Sequence, residues 1–312
     1  MIYNMNTFFQ NICHCVREEK RLELENMMFD SRNVIFSDDE CYEMIDSFSS
    51  EIRKTVHGCV NICGTGGSRI AKPNISSIAS LYLAVLGEIP VVKSGSKSNT
   101  GLFGSSDFFD RAGILGYLDK GLFLKKYNWG YCDYLELSPW KRYKPILRSN
   151  DCFADFFKRH IIFDYTASRF FLGISSPEYH NAISQHIWHN CPQQLDTFYT
   201  VTQAGVLDEI APGRVFLNGE YLFETKAIPF NEMKSTEEII HINDSLLRGI
   251  CRDAFWKQTL LQTVALCEAI LCSNLNRFDD YYTDAERLYN SGEISRILLE
   301  MKKDQKTIAD TS

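Results

Sequence analysis

Apolar positions along the chain change their period several times. Phe8, Ile12 and Val16 recur at helical spacing. Ser37-Asp38-Asp39-Glu40 reads as a helix start, with a polar cap and an acidic first turn. That helix is expected to run through Tyr42, Met44, Ile45 and Phe48 to about Lys54, so residues 1–57 read as helical. Beyond them short continuous apolar runs take over. Residues 59–63 predict a strand ending in a glycine turn, 74–86 a helix, 89–92 a buried strand, and 104–112 another helix. This alternation belongs to a parallel sheet covered by helices.

The second half continues less regularly. Residues 131–137, 161–163, 170–174, 198–202 and 214–217 read as strands. Ser176-Pro177-Glu178 starts a helix to about His189, Ser235-Thr236-Glu237-Glu238 starts another, and 253–271 is a long, mostly apolar helix. The charged tail from Lys302 is expected to fray. The expected architecture is therefore α/β: a small N-terminal helical domain plus a large α/β domain with a mostly parallel central sheet. The boundary falls at 57, with 58–312 as the large domain and the 176–190 helix joining the small one in space.

Composition narrows the function classes. Hydrophobic residues make up 45% of the 312, enough for a sizeable core, and the net charge of −7 without basic runs argues against a nucleic-acid partner. No stretch approaches the roughly 20 apolar residues of a membrane span, because the best candidate, 81–92, is broken by Gly87, Glu88 and Pro90. Eleven scattered cysteines, with no apolar leader before them, fit a reducing cytoplasm.

The chemistry concentrates in loops just beyond the carboxyl ends of the expected strands, where α/β proteins place ligands. Gly64-Thr65-Gly66-Gly67 lies between a strand and a helix, so its amides can approach an anion closely. Asn74, Ser76 and Ser77 open the next helix, whose N-terminus favours negative charge. Lys93-Ser94-Gly95-Ser96 and Thr100 follow the next strand, and Gly104-Ser105-Ser106-Asp107 opens the helix after it.

In order and spacing these segments resemble the anthranilate phosphoribosyltransferase family. The family patterns GTGGD, NIST, KHGN and GSAD correspond here to GTGGS, NISS, KSGS and GSSD. Leu172-Gly173-Ile174-Ser175-Ser176-Pro177-Glu178 is similar to the family's LGVxSPE, and Gly205-Val206-Leu207-Asp208-Glu209-Ile210 to its GLDEIS. Leu246-Leu247-Arg248-Gly249 followed by Arg252-Asp253-Ala254 is similar to its closing helix pattern. The similarity covers roughly residues 37–300.

The resemblance implies Mg²⁺-dependent transfer of a ribosyl phosphate from phosphoribosyl pyrophosphate (PRPP) to an aromatic amine or nitrogen heterocycle. It implies a phosphate cradle of Gly64, Thr65, Gly66, Gly67, Asn74, Ser76, Ser77, Lys93 and Thr100. It further implies Mg²⁺ on Ser76, Asp208 and Glu209, an acceptor side of Ser94, Ser96 and Arg148, and a homodimer. Departures gather near the acceptor: Ser94 and Ser96 replace the family's His and Asn, while Ser68 and Arg69 replace the Asp-Gly after the glycine turn. A nucleoside phosphorylase of the same fold and a non-catalytic nucleotide-binding relative stay open. His180, His186, His189 and Cys191 lack the committed spacing of a zinc site.

Overall fold

A computed structural model describes residues 8, 10–12, 14–15, 18–30, 54–55, 58–64, 70–95, 103–114, 120–133, 146, 165–175, 177 and 194–311. The first elements in chain order are α1 (Arg21–Asp30), β1 (Lys54–Thr55), β2 (Val60–Gly64), α2 (Ile75–Leu86), β3 (Val91–Gly95) and α3 (Ser105–Ala112). Next come α4 (Lys120–Tyr127), β4 (Trp129–Asp133), β5 (Tyr165–Thr166), β6 (Arg169–Gly173), β7 (Gln194–Thr202) and β8 (Gly205–Leu207). The chain ends with β9 (Arg214–Leu217), β10 (Glu220–Glu224), α5 (Thr236–Leu247), α6 (Ala254–Leu271), α7 (Phe278–Ser291) and α8 (Glu293–Thr311).

The chain divides into two compact units. One is Met1–Thr55 with Asp133–Thr166, and the other Val56–Cys132 with Ala167–Ser312. In the first unit β1 pairs in parallel with β5, Lys54 opposite Tyr165. The expected helix to Lys54 therefore gives way to a strand. Its partner lies more than a hundred residues away, which local periodicity cannot register. Segment 133–166 groups with this unit, not with the large domain where the sequence boundary at 57 puts it. The expected helix over 38–53, the strand at 161–163 and nearly all of the 176–190 helix lie outside the described residues.

The second unit carries an eight-stranded sheet in the order β10-β9-β7-β6-β2-β3-β4, with β8 paired to β7. Strand β2 is parallel to both β3 and β6, and β6 to β7; β8, β9 and β10 add antiparallel pairs at the far side. Val60, Ile62, Phe170, Phe171 and Leu172 are buried, so β2 and β6 read as continuous apolar runs covered on both faces.

Helices α2 and α6 form the core against the sheet. Ile75, Ile78, Leu81, Tyr82 and Leu83 of α2 lie in one cluster with Phe255, Trp256, Leu260, Leu261 and Val264 of α6. Each such side chain contributes about 1.5–3 kcal/mol by leaving water. Asp253 caps α6 by accepting from the Trp256 N–H at 3.1 Å, which gives the Arg252-Asp253-Ala254 segment a structural task. Ser235 caps α5 through the Glu238 N–H at 3.2 Å. The tail does not fray at Lys302: α8 continues to Thr311, with Met301 buried and Tyr127 and Lys126 both donating to Asp304.

Candidate functional site

Strands β2 and β6 bring two glycines side by side at their carboxyl ends, Gly64 opposite Gly173. A Cβ on Gly64 would run into Asp208 Oδ2, and one on Gly173 into the Asp208 backbone carbonyl. Asp208 thus lies across the ends of the two central strands, and only glycine leaves it room.

The turn after β8 supplies Asp208 and Glu209, and three hydrogen bonds hold it. Thr200 Oγ1 donates to the Glu209 carbonyl at 2.8 Å and accepts from the Ala211 N–H at 3.0 Å. Thr263 Oγ1, from α6, accepts from the Ile210 N–H at 3.1 Å. Both carboxylates are buried, at 3% exposure each. Lys72, on the irregular stretch before α2, bridges them, pairing with Asp208 Oδ1 and Glu209 Oε1.

The electrostatics are those of a crowded, dry cluster. Burial and the neighbouring Asp208 push the Glu209 carboxyl well above the usual carboxylate range, against the pull of Lys72. Burial opposes charge on Lys72 as well, but Asp208 and Glu209 outweigh it and hold its ammonium above the usual value. Lys93, in β3, is 2% exposed and donates to the Ser94 carbonyl at 2.6 Å; burial lowers its pKa to about 8. Cys63 is pushed up to about 12 by burial, which makes it a poor nucleophile.

Two buried acceptors here have no hydrogen-bond partner, Glu209 Oε2 and Asn61 Oδ1. An orphaned carboxylate oxygen beside a second carboxylate is the donor chemistry of a hard divalent cation, which takes one or two carboxylates plus substrate phosphates. Asp208 and Glu209 therefore fit Mg²⁺ in kind, with Lys72 standing on one oxygen of each.

No protein-family model matches the chain. Curated relatives match over a limited stretch. Over 81 residues the chain is 38% identical to anthranilate phosphoribosyltransferase of Nitrosopumilus maritimus, covering 25% of this chain and 23% of that one. Over 61 residues it is 43% identical to the Methanosarcina barkeri protein of the same name, covering 20% and 16%. The matched stretch thus spans less than a quarter of these relatives' length. The fold likeness extends much further. Anthranilate phosphoribosyltransferase from Thermus thermophilus superposes with a TM-score of 0.72 at 16% identity, over 97% of this chain and 96% of that one. The Saccharomyces cerevisiae structure in complex with PRPP and Mg gives 0.65 at 16% identity, over 87% and 81%.

The chain resembles anthranilate phosphoribosyltransferases.

Of the residues that this family's patterns single out, the structure brings Gly64, Asp208, Glu209 and Lys93 to the carboxyl edge of the sheet. Ser76 is half-buried in the first turn of α2. Ser77 Oγ bonds Ser105 Oγ at 3.2 Å. The Asn74 side chain is engaged elsewhere: its Oδ1 accepts from Asn243 Nδ2 at 2.8 Å, and its own Nδ2 reaches the Phe103 carbonyl at 3.3 Å. Ser94 is buried, and Asn61 Nδ2 donates to its hydroxyl. Thr65, Gly66, Gly67, Ser96, Thr100 and Arg148 lie outside the described residues, as do the three clustered histidines. Among the described residues no group of three or more His, Cys, Asp or Glu could hold a metal.

Sequence reasoning misses Lys72, Asn61 and Thr200. A lysine directly before a helix-opening Pro-Asn is unremarkable in sequence. Its importance comes from Asp208, 136 positions away.

Proposed function

We propose that this chain is a phosphoribosyltransferase that moves the phosphoribosyl group of PRPP to an aromatic amine or nitrogen heterocycle, anthranilate or an analogue, and releases pyrophosphate. The observation that carries this reading is the buried Asp208–Glu209 pair, lying across the glycine ends of β2 and β6 with two lysines about it. The matching of local sequence to curated relatives and the shared fold support it.

Pyrophosphate leaves readily only if its growing charge is balanced. Mg²⁺ held by Asp208 and Glu209, with Ser76 beside it by resemblance, would supply part of that balance. Lys93 supplies a second cation from a dry environment, which strengthens its pull on a phosphate while lowering its own pKa to about 8. The backbone of Gly64 and the turn after it offers amides to the phosphates. The sugar carbon develops cationic character, so the protein's task is mainly to position the two substrates. The acceptor side is assigned to Ser94, Ser96 and Arg148 by sequence resemblance alone; Ser94 in addition has its hydroxyl tied to Asn61. The free, buried cysteines Cys59, Cys63 and Cys267 suit a cytoplasmic enzyme, and a homodimer is part of the reading by resemblance.

Calorimetric titration with PRPP, with and without Mg²⁺, tests the proposal beside an Asp208→Asn/Glu209→Gln variant. The expected result is magnesium-dependent binding that the variant weakens at least tenfold. A folded protein that binds no PRPP in either condition sinks the transferase reading. Phosphate-dependent cleavage of a nucleoside would replace it with a phosphorylase.

A further inference from the structure

The acidic pair already holds a cation, and it belongs to the protein. Lys72 reaches one oxygen of Asp208 and one of Glu209, with its side chain only 15% exposed. Two buried carboxylates share this single ammonium, and Glu209 Oε2 keeps no partner. The lysine therefore satisfies the pair only in part: it holds one oxygen of each carboxyl and leaves Glu209 Oε2 over. Its backbone lies in an irregular stretch, so it can leave without breaking a helix or a strand ladder.

We propose that Lys72 is a resident placeholder cation that sets how a divalent ion gains the Asp208–Glu209 site. In the free protein the ammonium fills the pair. A divalent ion binds there by displacing it, which frees the lysine, on its flexible four-carbon stem, for an anionic substrate. Divalent affinity is then low in the free protein, because each binding event must first break two buried ion pairs. This inference rests on the assignment of Asp208 and Glu209 as the metal pair made above.

The test titrates Mn²⁺, read by electron paramagnetic resonance, against the full chain without PRPP. Wild type, Lys72→Met, Lys72→Arg and Lys72→Met/Glu209→Gln are compared. Lys72→Met is expected to bind Mn²⁺ at least about tenfold more tightly than wild type. Lys72→Arg should stay within about threefold of wild type, because it keeps the charge. The double variant should lose the gain. Equal binding by wild type and Lys72→Met overturns the placeholder role while leaving the metal pair standing. No binding by any variant overturns both, and PRPP calorimetry on the wild type judges the transferase reading separately. Should Lys72→Met fail to fold, acylation of the wild type read by mass spectrometry decides. Lys72 should be protected without metal and become reactive at saturating Mn²⁺, and unchanged protection overturns the proposal.

Discussion

Two charged clusters lie at different ends of the same central strands, and they are built on opposite terms. Where β6 begins, Arg169 donates to Asp196 Oδ2 at 2.9 Å, Asn218 Nδ2 reaches the other carboxylate oxygen at 3.3 Å, and the guanidinium lies over the Phe171 ring. One charge meets one charge, and every carboxylate oxygen has a partner. Where β2 and β6 end, two carboxylates share Lys72, and Glu209 Oε2 has none. The first cluster leaves no carboxylate oxygen over. The second retains unspent binding capacity, which stability alone would not preserve.

The sharpest way to break the open cluster is through its glycines. Gly173→Ala should destabilise the protein by about 3 kcal/mol or prevent its folding, because the new methyl meets the Asp208 carbonyl inside a packed sheet end. Urea unfolding of the variant checks this, and a loss under about 1 kcal/mol would mean that Asp208 can move aside.

The two clusters should then respond oppositely to loss of a charge. Arg169→Met strands Asp196 in a buried position and should cost about 3 kcal/mol of stability while leaving PRPP affinity unchanged. Glu209→Gln replaces a carboxyl that burial and Asp208 already hold well above the usual carboxylate range, so it should leave stability within about 1 kcal/mol of wild type. Its PRPP affinity in Mg²⁺ should nevertheless fall at least tenfold. Denaturant melts beside calorimetry measure both quantities, and parallel losses in the two variants would erase the distinction.

A smaller effect comes from Glu268, buried in the last turn of α6, whose Oε1 has no partner. Burial first, and then Asp284, raises its pKa to about 7. The folded state therefore keeps a proton that the unfolded chain has released. This contribution is complete at low pH and is lost as pH rises through about 7. Glu268→Gln should remove that slope and be more stable than wild type at pH 8, by on the order of 2 kcal/mol. Unfolding of both proteins between about pH 4.5 and 8 tests it, and parallel curves would contradict the assignment.

Much of the fold is legible in the chain itself. Helix α2 is marked by an Asn at its start and an unbroken apolar face, α6 by Asp253 and a long apolar run, and β2, β3 and β6 by short apolar runs before glycines. Local propensity and neighbouring caps decide such elements. Apolar runs alone do not single out β8, β10, α4, α7 or α8: β8 and β10 are short hairpin strands that pair with β7 and β9 across two-residue turns, and α4, α7 and α8 have mixed, largely charged sequences. Asn74 shows the same limit within the site. Its place at a helix start suggests a phosphate donor, yet its amide is engaged by Asn243 from α5.

Residue type and nearby spacing were enough for the alternation of strands and helices and for the candidacy of Lys93, and the family resemblance singled out Asp208 and Glu209. Three further facts came from the folded chain alone: Gly64 and Gly173 must both be glycine, Thr200 and Thr263 fix the acidic turn, and Lys72 fills it. The glycine and lysine constraints depend on atoms well separated in the chain, Lys72 and Asp208 being 136 positions apart, brought within reach by the parallel sheet. No local pattern encodes them.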